Sequence, residues 1–144
     1  MAITLLCVGK IKEPWIKQGI YEYEKRLRRY TVKEIKDSTL EKESVLFLKE
    51  MDKMRNTFFV CLDEHGEHFT SVQFAEFVKK KNDYENICFL IGSADGLHSS
   101  ILSKVQKKIA LSRMTFTHEM ARLFFTEQLY RAFSINEGKT YHRV

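Results

Sequence analysis

The sequence predicts an α/β fold, with a mostly parallel sheet and helices on both of its faces. Several apolar runs do not alternate with polar residues, which is typical of strands buried on both sides. Segments with helical spacing separate these runs, so crossover helices can join consecutive strands. The chain has 144 residues, 44% of them hydrophobic and 30% charged, with one proline and six glycines. This composition predicts a single domain over residues 1–144.

The predicted strands are short runs rich in apolar, β-branched and aromatic residues. In chain order they are Ala2–Val8, Thr31–Lys36, Thr57–Leu62, Asn86–Ile91 and Ile109–Leu111. The charged stretch Asp63–His68 follows the third run and is predicted to be a polar turn.

The predicted helices lie between these strands. The first begins at Pro14, a favoured first helical residue, and the spacing of Ile16, Ile20, Tyr23 and Leu27 carries it to about Tyr30. The hydroxyl groups of Ser71 and Thr117 are suited to capping two later helices. The predicted helices after the first are Glu41–Arg55, Ser71 to about Lys81, Ser99–Lys107 and a long helix from near Thr117.

Cysteine usage and hydropathy exclude several classes of protein. Cys7, Cys61 and Cys88 lie in three separate apolar runs, without a C-x-x-C pair, so we expect packed thiols in a reducing, cytoplasmic compartment and no zinc site. No apolar run approaches the roughly 20 residues that span a bilayer, and no secretory signal is recognised. The sequence therefore predicts a cytoplasmic protein with no membrane partner.

The net charge of +5 is concentrated near the amino terminus. Residues 1–36 contain nine lysines and arginines but four acidic residues, whereas the remainder is balanced. This distribution favours a polyanion such as nucleic acid approaching the first strand and helix. Alternatively, the basic residues of 25–29 complement the carboxyl end of a helix dipole.

Three loops are candidates for ligand binding, because ligands of open α/β sheets collect at the carboxyl ends of the strands. They follow Leu62, Ile91 and Leu111. In the second loop, Gly92 and Gly96 fit either a tight turn or a close approach of backbone to a ligand. The loop lacks the glycine patterns of dinucleotide sites and P-loops, which disfavours those cofactors and a flavodoxin-like domain.

The long helix and the tail after it carry the candidate catalytic groups. His118 and Arg122 lie four residues apart, as do Glu127 and Arg131, so each pair shares a helical face. Such pairs are either surface salt links or contacts to a ligand or a partner chain. His118 and His142 are the better acid-base candidates of the five histidines, and metal-ligand spacing is absent.

Four stretches together give the chain a family resemblance. Their sequences are L-S-R-M-T-F-T-H-E-M-A-R from Leu111, E-Q-L-Y-R-A-F-S-I-N-E-G-K-T-Y-H from Glu127, V-G-K-I-K-E-P-W from Val8 with Y-E-K-R-L from Tyr23, and I-G-S-A-D-G-L from Ile91. They resemble the RlmH family of bacterial ribosomal RNA methyltransferases, which belongs to the SPOUT superfamily. The resemblance implies a trefoil knot in the carboxyl half and a homodimer. It also implies transfer of a methyl group from S-adenosylmethionine to N3 of a pseudouridine in 23S ribosomal RNA, on the assembled 70S ribosome and without a metal.

The resemblance also implies roles for individual residues. The implied cofactor-binding residues are Leu62, Gly92, Leu111, Ser112, Arg113, Met114, Thr115 and Phe116. The implied catalytic residues are His118, Arg122, Glu127, Arg131, Tyr141 and His142. Arg122 and Arg131 would grip phosphate or the base, with Glu127 orienting Arg131, and either His118 or His142 would assist deprotonation. Tyr141 would stack on the flipped-out nucleotide, and the tail would close over it, either in the same chain or on the partner subunit. The alternative function is a non-catalytic, basic module that binds RNA or the ribosome.

Overall fold

The computed structural model describes residues 1–143, and this part of the chain forms five strands and five helices in strict alternation. Val144 lies outside the described residues. The elements are β1 (Ile3–Val8), α1 (Pro14–Glu24), β2 (Tyr30–Ile35), α2 (Leu40–Asp52), β3 (Thr57–His68), α3 (Ser71–Asn82), β4 (Asn86–Ile91), α4 (Ser99–Leu102), β5 (Lys107–Ala110) and α5 (His118–Asn136). The predicted α/β class is confirmed.

The strands form one parallel sheet in the order β2-β1-β4-β3-β5. Ile3 of β1 lies opposite Tyr30 of β2 on one side and Ile87 of β4 on the other. On the far side of β4, Phe58 of β3 lies opposite Ile87. Since all five strands run the same way, the loops that leave their carboxyl ends lie along one edge of the sheet.

Helices cover both faces of the sheet, as predicted, and divide the core into two layers. Side chains of alternate strand residues point to opposite faces. Phe89 packs with Phe74 of α3 and Phe125 of α5 on one face, while its neighbour Leu90 packs with Phe47 of α2 on the other. α1 packs against α5, and α4 packs with α2.

Three helix ends and one cap differ from the prediction. α2 ends at Asp52 rather than at Arg55. α1 ends at Glu24 rather than near Tyr30, because the next amides bond three residues back instead of four: Arg26 donates to Tyr23 and Leu27 to Glu24, each at 3.0 Å. The chain then turns at Arg29, which has a φ of 53°, and Tyr30 starts β2. α4 ends at Leu102, and Lys107 begins β5 instead of ending the helix. The cap of α3 is Thr70 rather than Ser71.

Residues 63–68 were predicted as a turn, but β3 continues through them to His68. Leu62 and Glu67 both lie opposite Ile109 of β5, so the residues between them bulge out of the ladder before pairing resumes. A Cβ atom on Gly66 would lie 2.6 Å from the backbone carbon of Lys108. The extended pairing of β3 with β5 therefore requires a residue without a side chain, glycine, at position 66.

The three cysteines are free and buried, as the sequence predicts. Burial raises the pKa of Cys7 and of Cys61 to about 11 and that of Cys88 to about 12. They act as small apolar groups in the two core layers. Within residues 1–143, no helix is long and apolar enough to cross a membrane. The trefoil knot and the single-domain boundary stay predictions.

Replacing Gly66 with alanine should lower the free energy of unfolding by about 2 kcal/mol or more, because the new methyl group would force β5 away from β3. Urea unfolding followed by circular dichroism measures this change. His65→Ala is the matched control, since the neighbouring His65 side chain is 84% exposed. Equal stability of the two variants would contradict the close approach at Gly66.

Candidate active site

A cavity of about 420 Å³ lies at the carboxyl edge of the three neighbouring strands β4, β3 and β5. This volume is in the range of small-molecule sites. The loops after β4 and β5 line it, together with the bulged part of β3 that starts at Leu62 and with the start of α5. The lining residues are Leu62, Asp63, Glu64, Ile91, Gly92, Ser93, Ala94, Asp95, Gly96, Leu97, Leu102, Leu111, Ser112, Met114, Thr115, Phe116, His118 and Ala121.

The cavity brings together seven of the eight residues predicted to bind a cofactor, and these assignments stay predictions. The seven are Leu62, Gly92, Leu111, Ser112, Met114, Thr115 and Phe116. Arg113 lies in the same loop but is exposed and is not among the lining residues. Met114 is 75% exposed at the edge of the cavity, and Phe116 packs on Phe124 of α5 with ring centroids 4.9 Å apart.

Sequence reasoning missed the acidic part of the lining. Asp63 and Glu64 follow Leu62 directly, and Asp95 lies between the two glycines of the β4 loop. The hydroxyl of Thr115 donates a hydrogen bond of 3.0 Å to Glu64, which ties the β3 bulge to the loop after β5. The signal for the acidic lining was present in the sequence, since all three carboxylates follow the predicted strand ends at the expected ligand edge.

Gly92 is needed for the tight turn after β4. A Cβ atom at this position would lie 2.3 Å from the carbonyl oxygen of Gly96, and the Gly96 amide donates a 2.8 Å hydrogen bond to the Ser93 carbonyl. Gly96 itself has a φ of +81°. The alternative of a tight strand-to-helix turn is therefore correct for these glycines, and the same turn also lines the cavity.

The first turn of α5 holds the loop that follows β1. Thr117 caps α5 by accepting a hydrogen bond from the Met120 amide at 3.3 Å, as the sequence predicts. One oxygen of Glu119 accepts hydrogen bonds from the backbone amides of Lys12 and Glu13, at 3.1 and 3.2 Å. These contacts fix the end of β1 relative to His118, the first residue of α5 and part of the cavity wall.

Arg122 lies one turn further along α5 and is 5% exposed. Its Nη1 donates to the carbonyl oxygen of Gly9 at 3.1 Å and to Glu34 of β2 at 3.0 Å. It is not among the residues that line the cavity, although His118 on the same helical face is. The structure therefore places the buried Arg122 guanidinium in an ion pair with the partly exposed Glu34, and its catalytic role stays a prediction.

The other four candidate catalytic residues form a cluster at the carboxyl end of α5, here called the tail cluster: Glu127, Arg131, Tyr141 and His142. Glu127 accepts hydrogen bonds from the Tyr141 hydroxyl at 2.6 Å and from Nη2 of Arg131 at 2.7 Å. Nη1 of Arg131 lies 3.0 Å from Nδ1 of His142. The interactions are direct, so the tail is held against the helix.

Charge and burial shift two pKa values in the tail cluster. The hydrogen bond to Glu127 is the main cause that raises the pKa of Arg131. Burial first, and then the hydrogen bond to Glu127, raise the pKa of Tyr141 well above its usual range. Arg131 therefore remains a cation and Tyr141 a neutral donor at physiological pH.

The cavity and the tail cluster lie at opposite ends of α5. Arg131 follows His118 by thirteen residues, so the helix separates them by roughly 20 Å at 1.5 Å per residue. The structure thus brings His118 together with the predicted cofactor-binding residues, and it brings Glu127, Arg131, Tyr141 and His142 together elsewhere. Among residues 1–143, no cluster of three or more histidines, cysteines or carboxylates could hold a metal ion.

Comparisons with known proteins agree on one family. The family model described as "Predicted SPOUT methyltransferase" matches residues 1–142. The chain is 45% identical over 139 residues to a Prochlorococcus marinus (strain NATL2A) protein named "Ribosomal RNA large subunit methyltransferase H", covering 96% of this chain and 94% of the relative. A protein of the same name from Trichlorobacter lovleyi is 40% identical, covering 99% of each chain.

Solved structures show the same fold at low sequence identity. A probable methylase family protein from Haemophilus influenzae matches with a TM-score of 0.62 and 14% identity, covering 99% of this chain and 70% of that one. The SpoU methyltransferase AviRb from Streptomyces viridochromogenes, in complex with AdoMet, matches with a TM-score of 0.54 and 13% identity, covering 96% and 59%.

Replacing Gly92 with alanine should weaken binding of S-adenosylmethionine by about tenfold or more, since relieving the clash with Gly96 displaces the β4 loop from the cavity wall. Isothermal titration calorimetry measures the affinity. Ser99→Ala is the control, because Ser99 is exposed on α4 outside the cavity lining. Wild-type affinity in a folded Gly92→Ala protein would argue against this cavity as the donor site.

Proposed function

The chain belongs to the SPOUT family of S-adenosylmethionine-dependent methyltransferases, and we propose that it methylates N3 of a pseudouridine in large-subunit ribosomal RNA. The relatives named as ribosomal RNA large subunit methyltransferases match almost their whole length. They support ribosomal RNA as the substrate. The assembled 70S ribosome in the cytoplasm is the substrate form that we infer from the family resemblance.

The observation that carries the proposal is the chemistry of the cavity lining. Three carboxylates, Asp63, Glu64 and Asp95, line the cavity, and no lysine or arginine is among its lining residues. S-adenosylmethionine has a net positive charge, because its sulfonium and ammonium groups outnumber its carboxylate. An acidic cavity attracts such a donor. The size and charge of the cavity therefore fit this molecule.

The remaining lining suits the nucleoside part of the donor. Leu62, Leu111 and Phe116 provide apolar surface for a flat ring, and the backbone of the loop after β5 provides hydrogen-bonding groups. When bound, S-adenosylmethionine supplies an already activated methyl group. The protein then has to align the acceptor nitrogen with this methyl group and to assist loss of the N3 proton.

We propose that the catalytic site is composed of two chains of a homodimer. His118 lies at the cavity, whereas His142 and Tyr141 lie at the other end of α5, roughly 20 Å along the helix. One chain in this conformation cannot place both ends of α5 at a single methyl group. A second copy that packs antiparallel along α5 would bring its tail cluster to the first copy's cavity.

Exposed apolar side chains near α5 support this assembly. Phe124 of α5 is 39% exposed and Trp15 at the start of α1 is 61% exposed. α1 packs directly against α5, so the two aromatic residues belong to neighbouring elements. Aromatic side chains that are exposed in a single chain are typical of surfaces that become buried at the centre of a protein–protein interface.

A groove rich in lysine supports contact with RNA phosphates. It lies between β2 and α2, has a volume of about 530 Å³ and is lined by four lysines and two glutamates. Glu34 is paired with Arg122, and Glu50 is paired with Lys33 and Lys53. Lys36 and Lys10 follow β2 and β1 at the sheet edge that also holds the cavity. RNA that reaches the cavity would therefore pass a positively charged surface.

The direct test is methyl transfer to purified ribosomes, with the modified nucleoside identified by mass spectrometry. We expect N3-methylpseudouridine in large-subunit RNA when the ribosomes contain pseudouridine, and no product on ribosomes from cells that lack the pseudouridine. Free ribosomal RNA and isolated large subunits are the matched substrates that test for the 70S particle. Equal methylation of pseudouridine-free ribosomes, or of a different RNA, would refute the proposed substrate.

A further inference from the structure

The guanidinium of Arg131 is fixed on three sides. Glu127 accepts hydrogen bonds from Nε at 3.4 Å and from Nη2 at 2.7 Å. The guanidinium also lies over the ring of Tyr141, with its carbon 4.8 Å from the ring centroid. The hydroxyl of Tyr141 donates to the same carboxylate, so Glu127 orients both groups. The nitrogen that remains, Nη1, faces Nδ1 of His142 at 3.0 Å.

This contact determines which nitrogen of His142 carries the proton. A guanidinium has only donors and stays charged in proteins, so Nδ1 of His142 must accept. A neutral imidazole whose Nδ1 accepts carries its proton on Nε2. The free nitrogen of His142 is therefore a hydrogen-bond donor. A proton on Nδ1 would occupy the lone pair that accepts this hydrogen bond.

We propose that Arg131 is a positioning residue that holds His142 in its Nε2–H form, and that His142 donates a hydrogen bond to a carbonyl oxygen of the base instead of removing its proton. This proposal rests on the proposed function. If His142 is a hydrogen-bond donor, His118, which lines the cavity, is the remaining histidine that can act as the general base. Tyr130, whose ring packs edge-on against Tyr141 at 4.8 Å, supports the tail in the required position.

A donor at this position has a clear role in the reaction. His118 takes the N3 proton, and the electron pair left on N3 forms the new bond to the methyl carbon. The bond between that carbon and sulfur breaks, and its electron pair stays on sulfur. As N3 loses its proton, negative charge spreads to the two neighbouring carbonyl oxygens. A fixed N–H group aimed at such an oxygen is worth on the order of 100-fold in rate.

Nitrogen-15 NMR of the imidazole rings tests the tautomer directly in the free protein. The signals of His142 are identified by their loss in His142→Gln. We expect the neutral ring of the wild-type protein to carry its proton on Nε2, and we expect Arg131→Leu to give a mixture of the two tautomers. A wild-type ring protonated on Nδ1, or a tautomer unaffected by Arg131→Leu, would overturn the proposal.

Three substitutions at His142 separate a donor from a base in the methyl-transfer assay. A glutamine places an amide N–H near the position of Nε2 but cannot take up a proton, so His142→Gln should keep activity within about tenfold of wild type. His142→Ala and His142→Asn lack a donor there and should lose about 100-fold or more. Equal, large losses in all three variants would identify His142 as the base instead.

Two controls keep these outcomes interpretable. Affinity for S-adenosylmethionine should be unchanged in all three variants, because the proposed hydrogen bond from His142 goes to the base and not to the methyl donor, and a change would reveal a wider structural defect. If the wild-type protein transfers no methyl group to ribosomal RNA, the proposed function fails. The NMR result on the free protein then still decides the tautomer by itself.

Discussion

The parallel pairing of β3 between β4 and β5 is the constraint on which the rest of the structure depends. It places three strands side by side, so the bulge of β3 and the loops after β4 and β5, which are distant in sequence, form one cavity. Two glycines permit it: Gly66 lets β5 lie against β3, and Gly92 lets the β4 loop fold on itself. The acidic, donor-sized cavity then follows from the residues that these loops carry.

α5 runs from this cavity to the tail cluster. Its first turn is anchored through Glu119 and Arg122 to the end of β1 and to β2. Its last turns carry Glu127 and Arg131, which bind the tail. The helix is rigid and long, so it separates the two groups of residues instead of joining them. The same feature that orders each group makes a second chain necessary for the proposed reaction.

Much of this arrangement is predictable from sequence, because buried parallel strands are continuously apolar. β4 has the predicted bounds Asn86–Ile91, and the ligand edge follows from the strand ends. The end of α1 is not predictable from periodicity, since the apolar spacing continues to Leu27 while Arg29 turns the chain. The extension of β3 is not predictable from local sequence, because residues 63–68 carry no apolar run and pairing resumes only at Glu67 and His68, with a strand about 40 positions later.

The candidate site also has a part that local sequence predicts and a part that depends on distant contacts. The cavity lining was largely predictable, since loops at strand ends are local in sequence. The ion pair between Arg122 and Glu34 joins residues 88 positions apart, and spacing along α5 cannot reveal such a partner. The sequence placed the candidate catalytic residues on the long helix and its tail, and the structure separates His118 from Glu127 and the tail.

Mixing two inactive variants tests the shared site most directly. His118→Ala removes a cavity residue and His142→Ala removes a tail residue, and the two proteins are unfolded together, refolded and assayed. If each site takes its cavity from one chain and its tail from the other, half of the dimers contain one intact site, and activity should recover to about a quarter of wild type. No recovery in a mixture shown to contain mixed dimers would contradict the account, since each site would then lie within a single chain.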